Sequence, residues 1–170
     1  MILRMAHFEW YLPDLVIMFL ITAYLHKRWK KEDKKISASD DLLLFSIFLI
    51  VLFTLSPVVV SLLRINDTGL EKIYNLIPFR DWMEGYGSYI YESLDNILLF
   101  VPYGFALSYT KKLSVKQTIS AGLFLSICIE LIQPVVNAAR ICDITDMIDN
   151  TIGTSAGVFL YFIICKFREQ

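Results

Sequence analysis

At 170 residues the chain has room for one domain, yet 56% of it is hydrophobic and only 19% charged, a balance too apolar for a soluble fold of that size. A net charge of −1 supplies no electrostatic footprint for nucleic acid, so charge has to act through its distribution along the chain. Cys128, Cys142 and Cys165 lie far apart within or beside apolar stretches without CxxC spacing, which argues against a disulfide framework or a zinc site and reads as packing.

The first apolar stretch, Pro13 to Arg28, contains Asp14, but Pro and Asp suit a helix start and the basic end can snorkel. It spans the membrane or lies in its interface. The basic cluster Lys27, Arg28, Lys30, Lys31, Lys34 and Lys35 follows this stretch, whereas a secretory signal carries its basic residues in front; the segment reads as a retained anchor. Leu42 to Leu63 is long enough at ~1.5 Å per residue to cross ~30 Å of hydrocarbon. The loop from Arg64 to Tyr89 is too short for a core of its own, and its sequon Asn66-Asp67-Thr68 carries no weight. Ile97 to Tyr109 spans only if its helix begins near Ile90, which draws Glu92, Asp95 and Asn96 into the first turns. Val115 to Val136 and Met147 to Phe167 complete the set. The predicted fold is therefore all-α: a polytopic integral membrane helical bundle of about five transmembrane helices, forming a single domain over residues 1–170.

Lys and Arg are retained on the cytoplasmic side, and this sets the orientation. With the N-terminus outside and the C-terminus cytoplasmic, Lys27, Arg28, Lys30, Lys31, Lys34, Lys35, Lys111, Lys112, Lys116, Lys166 and Arg168 fall inside. Arg4, Arg64, Lys72, Arg80 and Arg140 fall outside, eleven against five of the sixteen basic residues. Of the seventeen acids only Glu32, Asp33, Asp40, Asp41 and Glu169 fall inside, so the outer end of the bundle is acidic.

Several polar residues belong to that outer end. A carboxylate at Glu130 facing lipid would cost ~2.5 kcal/mol or more at the bilayer centre, so Glu130 should face the bundle interior. At ~100° per residue Glu130, Gln133 and Asn137 share an arc of about 60°, a stripe that either bonds neighbouring helices, with Glu130 protonated or paired to Arg140, or forms part of a site. Asp143, Asp146, Asn150, Gly153 and Gly157 fall within about 80° on the last helix. Acids at a helix start commonly cap free amides, though one cap does not need three acids, and Gly153 to Gly157 is a GxxxG that reads as close helix packing. Asp95 and Asn96 stand at the outer start of the Ile90 helix, where a cap is an equal reading of Asp95, and Pro102 and Gly104 below them can kink it and free backbone groups. Tyr74 to Trp82 mixes aromatic and polar residues as a re-entrant or interfacial segment would.

In order along the chain, Asn75-Leu-Ile-Pro-Phe79, Asp95-Asn-Ile-Leu-Leu-Phe-Val-Pro-Tyr-Gly104, Glu130-Leu-Ile-Gln133, Arg140, Asp143-Ile-Thr-Asp146 and Asn150-Thr-Ile-Gly153 resemble the VanZ-like family. The resemblance covers roughly residues 74–161, and Ala139 departs from the Gly that many relatives carry before the Arg. It implies a small membrane protein of the bacterial cytoplasmic membrane, in a family whose best-known member confers low-level resistance to teicoplanin, a lipid-tailed glycopeptide. The positions it carries over are Asp95, Asn96, Glu130, Gln133, Arg140, Asp143, Asp146 and Asn150.

These features lead to an envelope protein that binds an amphiphilic or lipid-anchored ligand, a lipoglycopeptide among them, at an outward polar pocket. Its expected partners are membrane lipids and that ligand, not nucleic acid, with self-association left open. No cofactor is expected. The rival is a membrane-embedded enzyme acting on a lipid head group, with a divalent cation held by oxygen ligands and Glu130 as base. His7 and His26 lie near the ends of the first segment, away from these acids, and no nucleophile motif accompanies them.

Overall fold

The computed structural model describes residues 8–32, 37–59, 74–85, 89–111, 113–136 and 140–168. After a short 3-10 turn at Phe8–Trp10, the described residues form six α-helices: α1 (Leu12–Lys31), α2 (Ala38–Thr54), α3 (Arg80–Glu84), α4 (Tyr89–Lys111), α5 (Val115–Val136) and α6 (Ile144–Arg168). Two two-residue strands, β1 (Tyr74–Asn75) and β2 (Cys142–Asp143), pair in parallel. The protein is all-α apart from this clasp. Two helices have the length and hydropathy to cross a membrane: α5, with mean hydropathy 1.9, and Ile144–Cys165 of α6, with 1.4. The α5 bounds coincide with the apolar run Val115 to Val136, and α4 begins one residue before the expected Ile90.

Two boundaries differ from expectation. The helix expected over Leu42 to Leu63 starts earlier, at Ala38, where Ser37 and Asp40 form a reciprocal capping box, and it ends at Thr54. Pro57 explains the early stop, since it lacks an N–H and disfavours helical backbone in the residue before it. At 17 residues α2 is ~25 Å long, short of the ~30 Å expected of it, and residues 60–63 lie outside the described segments. The last helix begins at Ile144 and not at Met147, so Asp146 lies within it.

The core gathers Ile50 of α2, Phe100, Tyr103 and Leu107 of α4 and Ile129 of α5. The most extensive helix pairing is α4 with α6. Both read in the same direction: Asp149 of α6 is hydrogen-bonded to Ser93 of α4, Gly153 lies against Ile97, Gly157 against Val101 and Phe105, and Tyr161 packs edge-on against Phe105 and Tyr109. Every fourth residue of each helix meets every fourth of the other, the ridge-into-groove pattern of closely packed helices. A Cβ at Gly153 or Gly157 would strike the carbonyl oxygen of Ile97 or Val101, so the GxxxG serves close packing as its spacing predicts. Gly104 has the same role from the other side, lying against the Thr154 backbone. The helix continues through Pro102 and Gly104, and Gly104 contributes close approach rather than freed backbone.

The two ends of the bundle differ in charge. At one end α1 finishes in Arg28, Lys30 and Lys31, His26 Nε2 lies 2.9 Å from Asp41 Oδ1 at the start of α2, and Lys111 at the end of α4 lies 3.7 Å from Asp40. At the other end the Asp14 carboxylate is buried and accepts the Val58 N–H at 2.6 Å and the Val59 N–H at 3.1 Å. The acid inside the first apolar stretch is thus a clasp from α1 to the chain beyond α2, a role its position in the sequence did not reveal. Asp14→Ala strands both amides, and α1 otherwise touches little but α2. Loosening of α1 by about 1–3 kcal/mol is expected, read as faster protease cleavage between α1 and α2 at unchanged melting of the rest. An unchanged cleavage rate would remove the clasp.

Large apolar side chains cover much of the outside, among them Val16, Phe19 and Leu20 of α1, Leu98 of α4, Phe124, Leu131 and Val135 of α5 and Phe159 of α6.

Candidate functional site

The polar end is organised around Asp143. Its Oδ1 accepts the Thr145 N–H at 2.7 Å, capping the start of α6, and its Oδ2 accepts from Asn75 Nδ2 at 2.9 Å. Its own N–H donates to Glu130 Oε2 at 2.9 Å. Three segments therefore meet at one residue: the end of α5 through Glu130, the start of α6, and the loop strand β1. Backbone pairing of Tyr74 with Cys142 and of Asn75 with Asp143 sets this register. Asn75 Oδ1 also accepts the Ile77 N–H at 3.3 Å, and Thr145 Oγ1 accepts the Phe79 N–H at 3.0 Å. Phe79 has φ 56°, a left-handed conformation uncommon for a residue with a Cβ, and α3 begins directly after it. The segment from Tyr74 to Trp82 is thus a strand and a short helix laid on the start of α6.

Below Asp143, α5 and α6 run antiparallel with matching four-residue steps. Gly122 sits against Thr154, Ser126 Oγ accepts from Asn150 Nδ2 at 2.9 Å, and Glu130 lies within electrostatic range of Asp146. Thr154 Oγ1 donates to the Asn150 carbonyl at 3.0 Å, and Gln133 Nε2 donates to the Thr54 carbonyl of α2 at 3.2 Å. Glu130 and Asn150 are each 1% exposed, Gln133 and Asp149 3%. Among the described residues, Asn150 Oδ1 and Asp149 Oδ2 of this network are buried without a hydrogen-bond donor.

Asp146, half-buried, is influenced by the charges of Asp143, Arg140, Asp149 and Glu92, and Glu130 by those of Asp146, Asp143 and Arg140. On the loop side, burial raises the Asp81 carboxyl above its ordinary range, and the charges of Asp143, Glu92 and Glu84 raise it further against the pull of Arg80. Burial likewise raises the Cys142 thiol, with Glu130, Asp143 and Asp146 adding to the effect, so Cys142 stays a thiol at neutral pH and is a poor nucleophile. Among the described residues no three His, Cys, Asp or Glu side chains are grouped so as to hold a metal ion.

Of the residues singled out in the sequence, Glu130, Gln133, Asp143, Asp146 and Asn150 come together as one network with Arg140 in electrostatic reach. Asn137 and Ala139 lie outside the described residues. Asp95 and Asn96 are half-buried in the second turn of α4, and from the same helix Ser93 is bonded to Asp149 and Glu92 acts on Asp146 through charge. Asn75, Glu92, Ser93, Ser126 and Asp149 take part without having been foreseen as site residues. Asp149 had a readable signal, since it precedes Gly153 and Gly157 by four and eight residues and so shares their α4-facing ridge. Asn75 stood only in the first motif of the resemblance, and no local pattern could give its partner, which lies 68 residues away.

The VanZ/LLP1 family model matches residues 42–165, which takes in α2 to α6 and every residue of this network. The chain is also 32% identical over 130 residues to Protein VanZ of Enterococcus faecium, covering 76% of this chain and 74% of that protein. No solved structure matches it. The sequence signature and both similarities agree, and the chain belongs to the VanZ/LLP1 family.

Proposed function

We propose that this protein is a multi-pass protein of the bacterial cytoplasmic membrane. In this reading it binds an amphiphilic or lipid-anchored ligand at its acidic end, and lowers susceptibility to lipid-tailed glycopeptides such as teicoplanin by sequestering or excluding them. The observation that carries the reading is the convergence of Glu130, Asp143, Asp146 and Asp149, with Arg140 in reach, at the end of the bundle opposite the basic cluster. A packed core gains nothing from gathering four acids, and ionisable groups inside apolar bundles generally mark function. Membrane embedding is supported by two helices of spanning length and by the apolar side chains exposed around the outside. With α1 counted as a span, the basic end faces the cytoplasm, and the acidic end and the N-terminus face outward, where envelope ligands are met. Acids suit amine and hydroxyl groups, Arg140 suits a carboxylate or phosphate, and the outer apolar surface suits an acyl chain.

Purified protein given envelope lipids or teicoplanin is expected to melt at higher temperature while leaving them chemically unchanged by mass spectrometry, with or without magnesium, calcium or manganese. Asp146→Ala should weaken that stabilisation. Cation-dependent release of a lipid product, lost in Asp146→Ala, would overturn binding in favour of head-group chemistry.

A further inference from the structure

We infer that the seam between α5 and α6 receives a primary ammonium group carried by an amphiphile, with Asn150 Oδ1 as the acceptor that selects it. The inference rests on the ligand-binding reading above and specifies the chemistry of its head group.

The seam is a ladder of facing residues. Its lowest rung, Gly122 against Thr154, is closed by direct contact. On the next, Asn150 donates to Ser126, which leaves Asn150 Oδ1 without a donor although the residue is 1% exposed. One turn above, on the same faces, stand Glu130 and Asp146. Glu130 commits Oε2 to the Asp143 N–H, and Asp149, on the adjoining α4-facing ridge, keeps Oδ2 without a donor among the described residues. The seam is thus short of hydrogen-bond donors and short of positive charge, since Arg140 faces Glu130, Asp143 and Asp146 together.

One chemical group answers both shortages. A primary ammonium carries three N–H donors and a full charge, enough for Asn150 Oδ1 and the two carboxylates one turn above. A sugar hydroxyl supplies donors without charge. A quaternary ammonium supplies charge without donors. Phosphate or carboxylate meets like charge. Entry is from the acidic end past Asp146, which is only half-buried, so the ammonium goes in first and its apolar part stays against the outside of the bundle.

The test compares head groups that differ only in their N–H donors. Native protein in phosphatidylglycerol nanodiscs is melted with added phosphatidylethanolamine or with added phosphatidylcholine, and separately with teicoplanin or N-acetylated teicoplanin. Ethanolamine should raise the melting temperature where choline does not, or teicoplanin should do so where its acetylated form does not. The arm that discriminates identifies the source as lipid or drug. Asn150→Leu should weaken the discriminating ligand about tenfold, the effect of losing one acceptor from a charge-assisted bond. If that variant does not fold, Asp146→Asn, at a half-buried position, reads the same loss. Equal stabilisation by the choline and acetylated forms would overturn the ammonium assignment while leaving an amphiphile-binding protein. Stabilisation by none of the four would overturn the binding reading itself.

Discussion

Gly157→Leu is expected to leave little folded protein in the membrane. A side chain at this position runs into the Val101 carbonyl and the Phe105 amide of α4, and backbone cannot rotate aside as a side chain can. Overpacking a core usually costs about 1–3 kcal/mol, and here the helices must separate along their most extensive contact, so a loss of several kcal/mol is expected against a total stability of about 5–15. Detergent-solubilised protein should elute as aggregate, or its melting temperature should fall by many degrees. Phe159→Leu, two residues along and 65% exposed, should stay within about 0.5 kcal/mol of the native protein. A native-like elution and melt for Gly157→Leu would show that α4 and α6 do not meet through this ridge.

The second large effect is expected at Glu130, where charge and shape can be separated. Glu130→Leu leaves the buried Asp143 N–H without its acceptor and should cost about 1–3 kcal/mol. The loss should loosen the start of α6 and, through Asn75, the β1 segment. Glu130→Gln keeps an amide oxygen where Oε2 accepts that N–H, so it should fold within about 1 kcal/mol of native. It removes the ionisable carboxyl facing Asp146 and Arg140 and should weaken the proposed effect on glycopeptide susceptibility at equal expression. If Glu130→Gln retains that effect in full, Glu130 is an acceptor for one backbone amide and nothing more.

What could be read from the sequence follows the range of the interactions involved. The bounds of α5 were legible because its apolar run is continuous and ends in polar loops, so one local signal decides it. The GxxxG was legible for the same reason: its four-residue step on one helix suffices to make a flat face. The end of α2 was set too late because apolar content runs on past Thr54 while the helix breaks before Pro57, a local signal that should have outweighed hydropathy there. In the site, periodicity correctly grouped Asp146 with Asn150 and Glu130 with Gln133, since each pair shares a face of its own helix. It did not single out Glu92 and Ser93, because the facing register of α4 and α6 is a property of two helices together. Asn75 and Asp14 were beyond it, as each acts on backbone or side chains more than forty residues away.

The pairing of β1 with β2 bears on how the protein is made. Asn75 emerges from the ribosome long before Asp143, and α4 before the α6 that covers most of its buried face. Through that interval the loop end has no strand to join, and the glycine-fitted face of α4 waits for its partner. A chain halted after α5 therefore carries every helix described here but the last and none of the finished acidic end. An open α4 flank distinguishes an incomplete copy from a complete one, and the acidic end forms only in molecules synthesised through the last helix.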